Sequence, residues 1–204
     1  SLMLTYNGKK PLLGTNPICF ACPFENDNPF CLDMATTTFT WNKLLNYRIS
    51  KQKLPKSAAA DVYGNLTTDP NKAFSLMPLG GYKGFGLAIM VEVLTAIMAN
   101  MPLDFEIPPM FSKSKKLRKI SQSYIVFKTD ITGSKTDFKN NLIKLSKKIR
   151  SQKSKKNKAL MPNDKENKFK IERLKKGIPL DQKTYSNLTK LSKKFGIKMH
   201  TKLS

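Results

Sequence analysis

Short apolar runs broken by turn residues open the chain. Leu2-Met3-Leu4-Thr5-Tyr6 and Ile18-Cys19-Phe20-Ala21-Cys22 read as strands, joined through Asn7-Gly8-Lys9-Lys10-Pro11 and Gly14-Thr15-Asn16-Pro17. A turn at Glu25-Asn26-Asp27-Asn28-Pro29 leads into a third strand, Phe30-Cys31-Leu32-Asp33. The period then changes. Trp41, Leu44, Leu45 and Arg48 recur at helical spacing, with Thr38 as the expected cap and Leu54-Pro55 as the stop. Asp61 to Pro70 reads as a loop with two turns. The densest punctuation, Pro78-Leu79-Gly80-Gly81-Tyr82-Lys83-Gly84-Phe85-Gly86, opens onto a helix expected from Leu87 to about Asn100. That helix is apolar nearly all round, which predicts a place in the core of a larger body.

Beyond Phe111 the texture changes. Tyr124-Ile125-Val126-Phe127 reads as a strand. Phe138, Leu142, Leu145 and Ile149 share one helix face, capped by Ser134 or Thr136. Residues 150–168 are Lys-rich and predict a solvated loop with a turn at Pro162-Asn163-Asp164. Two helices close the chain: Lys170 to Lys176, stopped by Gly177, and Asp181 to Phe195, closed by Gly196. No internal repeat is visible. The pattern is mixed α and β.

Composition sharpens this picture in one respect. The 204 residues carry 37 Lys and Arg against 14 Asp and Glu, a net charge of +23. The excess is not shared evenly: residues 1–110 are at +1 and residues 111–204 at +22. The basic half is built almost wholly on Lys, with Arg118, Arg150 and Arg173 its only arginines, and aromatics are sparse there. Single-stranded nucleic-acid recognition favours forked arginines and stacking rings, so solvated lysine faces account for the charge more simply. An RNA- or anionic-surface-binding protein remains the alternative from another class; salt-sensitive, nonspecific adhesion follows from the charge in either case. The apolar run Phe85 to Met98 carries Glu92 in its middle and falls short of the roughly 20 apolar residues of a membrane span. No charged-then-apolar leader is visible, and the start of the chain inside a strand leads us to expect an upstream portion.

Cys19 and Cys22 form a C-x-x-C, and Cys31 follows. The pair could be half a zinc site or a redox couple, but no closed ligand set accompanies it, and it lies on a strand rather than at a helix start. Small apolar thiols in a reducing compartment are the expected reading. No metal is expected.

The glycine-lysine segment fits neither G-x-x-x-x-G-K-[ST] nor G-x-G-x-x-G. Two readings stay open on physical grounds. The glycines and the helix start, with Lys83 beside them, would suit a phosphate or carboxylate; alternatively the glycines serve tight packing and Lys83 faces solvent. Gly81-Tyr82-Lys83-Gly84 also matches the short clamp of KH-type RNA modules, without the basic surroundings expected of one.

Several stretches together resemble one family. Leu13-Gly14-Thr15-Asn16-Pro17, Leu32-Asp33-Met34-Ala35-Thr36-Thr37 and Pro78 to Ala88 are similar to motifs of the type 2 malate/L-lactate dehydrogenases, relatives of ureidoglycolate and sulfolactate dehydrogenases and piperideine-2-carboxylate reductase. Thr67-Thr68-Asp69-Pro70, Met90-Val91-Glu92-Val93-Leu94 and the closing Arg173 to Leu180 follow in register. The resemblance implies a mixed α/β, non-Rossmann NAD(P)-binding fold, of which this chain is the carboxyl-side part. It implies hydride transfer between NAD or NADP and a small 2-hydroxy or 2-oxo acid, in a cytoplasmic homodimer without membrane contact. It places cofactor contacts on Asp33, Met34, Ala35 and Lys83, with Thr15, Asn16 and Gly81 lining the same cleft. Residues 1–110 would form the cofactor-binding part. Residues 111–204 would form a basic part that packs with an amino-terminal segment. The family's proton-shuttling histidine lies upstream of this chain, so the catalytic residue is unassigned and the chain alone is expected to be inactive. The lone His200 reads as a tail residue. Residues 101–123 look shorter than in relatives, and Ser121-Gln122-Ser123 stands where a Gly-His pair is common.

Overall fold

A computed structural model of the chain describes residues 2–25, 28–109, 116–152 and 158–199. His200 lies outside them. The chain divides into two compact units: residues 1–21 with 32–132, and residues 22–31 with 133–204.

The first unit is built on a five-stranded mixed sheet. Its strands are β1 (Met3–Leu4), β2 (Pro11–Leu13), β5 (Ala59–Ala60), β6 (Leu66–Thr67) and β7 (Ser75–Leu76), in the order β2-β1-β7-β5-β6. β1 pairs with β7 in parallel, and the other neighbours are antiparallel. β3 (Ile18–Cys22) and β4 (Phe30–Met34) form a separate two-stranded ladder, and the turn between them belongs to the second unit.

Helix α1 (Trp41–Ser50) covers the sheet. Leu44 and Phe39 are buried with Leu54, Ala58, Ala59, Ala73 and Leu76, and Leu2, Trp41 and Tyr47 pack against that cluster. Ala58 and Ala59 bring small side chains into that cluster. Arg48 then ties α1 to the loop before β7: its Nε donates to the Pro70 carbonyl (2.7 Å) and its Nη2 to that of Ala73 (2.9 Å). The cap is Thr40, whose hydroxyl accepts from the Lys43 N–H at 3.3 Å. Thr38, expected in that role, instead places its backbone N–H on the Met77 carbonyl, one step along the strand that leads into the glycine segment.

Further expectations fail in this unit. The glycine-rich helix, α2 (Tyr82–Glu92), starts five residues before Leu87, which brings Lys83 into its first turn. It passes at Val93–Ile97 into a π-helical segment, and Ile89, Met90, Val93, Ile97 and Met98 are exposed, so the helix is not buried all round. Tyr124–Phe127 forms no strand with any of the described residues, and all four side chains are exposed, Val126 at 92 %. Periodicity reports a strand's appetite for neighbours, not whether neighbours are there.

The second unit holds α3 (Lys135–Arg150), α4 (Asp164–Lys176) and α5 (Gln182–Phe195). Ser134, one of the two caps expected for α3, accepts from the Asp137 N–H; Asp181, expected as the first residue of the last helix, instead caps α5 by accepting from the Thr184 N–H. α4 begins at Asp164, inside the expected loop, with Asp164 and Glu166 in its first turn, where negative charge suits the helix dipole.

Candidate functional site

The three glycine- and threonine-bearing loops of the first unit meet in one place. The Thr36 N–H and hydroxyl both donate to the Thr15 carbonyl, at 3.0 and 2.9 Å. The Thr36 carbonyl in turn accepts from the Leu79 N–H at 2.9 Å, and Thr37 bridges Pro78. Thr36 is fully buried and therefore joins the loop 14–17, the end of β4 and the glycine segment through bonds that no water replaces.

The glycine segment needs its glycines for two separate reasons. Gly80 and Gly81 lie at φ 60° and 67°, the left-handed region, and Gly81 is the residue before the first turn of α2, where no side chain caps the helix. Gly84 is packed against backbone: a Cβ there would lie 2.4 Å from the Leu79 nitrogen and oxygen and 2.6 Å from the Thr36 oxygen. The packing reading thus holds for Gly84. The anion-accepting reading keeps its geometric basis at Gly81, an uncapped helix start followed at once by the exposed Lys83.

The residues singled out in the sequence fall around this junction. Asp33, at the end of β4, is exposed; Met34 and Ala35, which run into Thr36, are half-buried. Thr15 is half-buried, with its carbonyl held by Thr36. Gly81 lies against the Tyr6 ring, which meets Tyr82 edge-on at 6.2 Å. Asn16 is buried and faces away from solvent: its Nδ2 donates to the Ala88 carbonyl (3.0 Å) and to Glu92 Oε2 (3.3 Å), both on α2.

That last contact exposes a pair that sequence reading missed. Glu92 is only 7 % exposed. Its Oε1 accepts from the Asp104 N–H at 2.8 Å, and Asp104 Oδ2 accepts from the Gly14 N–H at 2.6 Å. Burial pushes the Glu92 carboxyl above its ordinary pKa; the Asp104 carboxyl beside it pushes the same way, while the Asp104 N–H and the Asn16 amide pull back. The available signal was the single carboxylate inside an apolar run, since a buried charge demands partners. Farther along, the Ser121 hydroxyl donates to the Thr95 carbonyl (2.7 Å) in the π-helical segment, so the first residue of Ser121-Gln122-Ser123 makes a structural bond.

Cys19, Cys22 and Cys31 form no disulfide, and burial raises the Cys22 thiol. Among the described residues no three His, Cys, Asp or Glu side chains are grouped to hold a metal, and no helix is long and apolar enough to cross a membrane.

A mixed α/β scaffold that gathers an acidic strand end, a polar loop and an uncapped glycine-lysine helix start defines the class. The chain belongs to the malate/L-lactate dehydrogenase family, which matches residues 1–189. It is 33 % identical over 141 residues to the NAD(+) ureidoglycolate dehydrogenase of Escherichia coli K12, covering 69 % of this chain and 40 % of that enzyme. It is 33 % identical over 129 residues to the NADP(+) (2R)-3-sulfolactate dehydrogenase of Chromohalobacter salexigens, covering 62 % of this chain and 39 % of that enzyme. The solved sulfolactate dehydrogenase of Methanocaldococcus jannaschii superposes with a TM-score of 0.78 at 30 % identity, over 96 % of this chain and 57 % of that one. The chain thus spans between 39 % and 57 % of the length of these relatives. These matches lend the RNA-binding reading of the Lys-rich half no support.

Proposed function

We propose that this chain carries the cofactor-binding part of an oxidoreductase that moves a hydride between NAD or NADP and a small 2-hydroxy or 2-oxo acid of the malate, lactate or ureidoglycolate type. The observation that carries this reading is the meeting of loop 14–17, the end of β4 and the glycine-lysine helix start at Thr36. A dinucleotide needs a hydroxyl acceptor and an anion site, and the exposed Asp33 and the exposed Lys83 beside an uncapped helix start supply residues of both kinds. Asp33 would accept from a ribose hydroxyl, Met34 and Ala35 would offer apolar and backbone contact, and Lys83 with the Gly81 helix start would hold a phosphate. Thr15 and Gly81 would line the cleft, while Asn16, expected there from the sequence, instead turns inward and ties the loop to α2. When bound, the nicotinamide supplies or accepts the hydride. The cofactor part is assigned to residues 1–110. The basic residues 111–204 are assigned no base-specific contact and would adhere to nucleic acid only nonspecifically.

Reduction of a ketone also needs a proton donor at the oxygen, worth about 10²–10⁴ in rate. Asp33 and Lys83 are committed to the cofactor in this reading, so the 204-residue chain alone is expected to bind cofactor with little or no turnover. The whole enzyme is proposed to act as a cytoplasmic homodimer.

The test is fluorescence titration of the purified chain with NADH and NADPH at moderate salt. Saturable binding is expected, weakened roughly tenfold in Lys83→Ala because a charge-assisted contact to phosphate is lost. The preferred cofactor is read from the same titration. Absence of binding to a folded chain contradicts the proposal, and robust NAD(P)H-dependent turnover by this chain alone contradicts its stated inactivity.

A further inference from the structure

The Glu92–Asp104 pair joins segments that are far apart in the sequence. Between them the two carboxyls take the N–H groups of Gly14 and Asp104 and the amide of Asn16. Three segments converge on them: the loop 14–17, the end of α2, and the turn at 102–106, which Glu106 closes by accepting from the Leu103 N–H at 2.8 Å. The approach is tight, since a Cβ at Gly14 would lie 3.2 Å from Asp104 Oδ2 and 2.9 Å from Asn16 Oδ1. The loop so held is the one whose Thr15 carbonyl anchors Thr36, next to Asp33, Met34 and Ala35.

We propose that the Glu92–Asp104 carboxyl pair is a proton-dependent clamp that fixes loop 14–17 against α2 and thereby sets how tightly the cofactor cleft binds.

Two carboxylates this close, one of them buried, repel when both are charged, and one proton between them turns repulsion into a hydrogen bond. The groups facing Glu92 are few. Asp104 faces it from the 102–106 turn, and neutral Asn16 faces it from the loop. On its own helix Lys83 is nine residues away, about 13 Å along the axis, at the other end of α2. No cation compensates a second charge there among the described residues. Glu92 is raised in the folded state, so the clamp is complete below the ordinary glutamate value and is lost as pH rises through the raised folded value. Glu92 and Asp104 are positioning residues in this scheme, and the effect on cofactor rests on the cofactor reading above.

The experiment follows amide exchange of Gly14 and Asp104 in the full chain from about pH 5 to about pH 9, as protection factors corrected for intrinsic rates, with NADH affinity measured alongside. Protection at both amides is expected to fall by up to roughly tenfold per pH unit above the folded value, while amides of the Leu44 and Leu76 core stay level. Asp104→Asn keeps an acceptor for Gly14 and removes one charge; it is expected to hold acid-level protection across the range, and NADH affinity is expected to lose its pH dependence with it. Glu92→Gln repeats the flattening from the other side. Protection independent of pH in the native chain, or an Asp104→Asn variant as pH-dependent as the native chain, overturns the clamp. NADH binding with flat protection overturns the clamp alone. Clamp behaviour without NADH binding overturns only the cofactor reading.

Discussion

Gly84 and Gly86 lie two residues apart on α2 and answer to different constraints. A Cβ at Gly84 meets backbone atoms of Leu79 and Thr36, which cannot swing aside as a side chain would, whereas one at Gly86 meets nothing within 4 Å. Gly84→Ala is therefore expected to destabilise the first unit by about 1–3 kcal/mol, as overpacking does. Gly86→Ala replaces a helix-interior glycine in open space and is expected to stabilise by about 0.5–1 kcal/mol. Thermal denaturation of the two variants checks this, and equal shifts would contradict the packing seen at Gly84. Lys83, exposed beside them, belongs to neither class: its replacement is expected to leave stability unchanged and to act on ligand binding alone.

At the scale of elements, α3 and α4 are tied end to start. Arg150 grips Asp164 with both arms, Nη2 to Oδ1 at 2.7 Å and Nε to Oδ2 at 3.1 Å, and reaches Glu25 with Nη1 at 3.4 Å. Asp164 also accepts from the Met161 N–H at 2.9 Å. The Arg150 guanidinium, ahead of these, lowers the Asp164 pKa from its ordinary value. The sign follows directly. The link contributes fully above the unfolded aspartate value, about 3.9, and is lost as pH falls through the lower folded value. Because Arg150 is more than a third exposed, the contribution is modest. Asp164→Asn is expected to lower the melting temperature at neutral pH and to remove the acid-side loss, read by far-UV circular dichroism against pH; an unchanged acid limb would contradict it.

The same scale shows what local pattern can report. The caps at Ser134 and Gly196 and the strand at Ile18–Cys22 were legible because each is decided within a few residues. The start of α2 was not, because Gly80 and Gly81 look like loop residues until a turn demands positive φ, and the helix then begins at once. Tyr124–Phe127 misled in the opposite direction: its side chains suit a strand, but pairing is a property of neighbours. In the site, the motifs carrying Asp33, Lys83 and Thr15 were legible as contiguous text. Asp104 was not, since its role depends on a contact to Gly14 from ninety residues away.

For the whole molecule, charge and chemistry part company. All but +1 of the net charge of +23 sits in residues 111–204, yet the loops that converge on Thr36 lie in the nearly neutral first half. Overall charge therefore says little about the site, and binding that merely follows electrostatics should fade with salt. Binding at the proposed cleft should instead be local. The most direct measurement is a 15N–1H spectrum of the full chain titrated with NADH at moderate salt. The account predicts saturable shifts confined to residues 14–17, 33–37 and 79–84, with the affinity they report roughly tenfold weaker in Lys83→Ala. Shifts spread over the Lys-rich helices α3 to α5, or none at all from a folded chain, would contradict it.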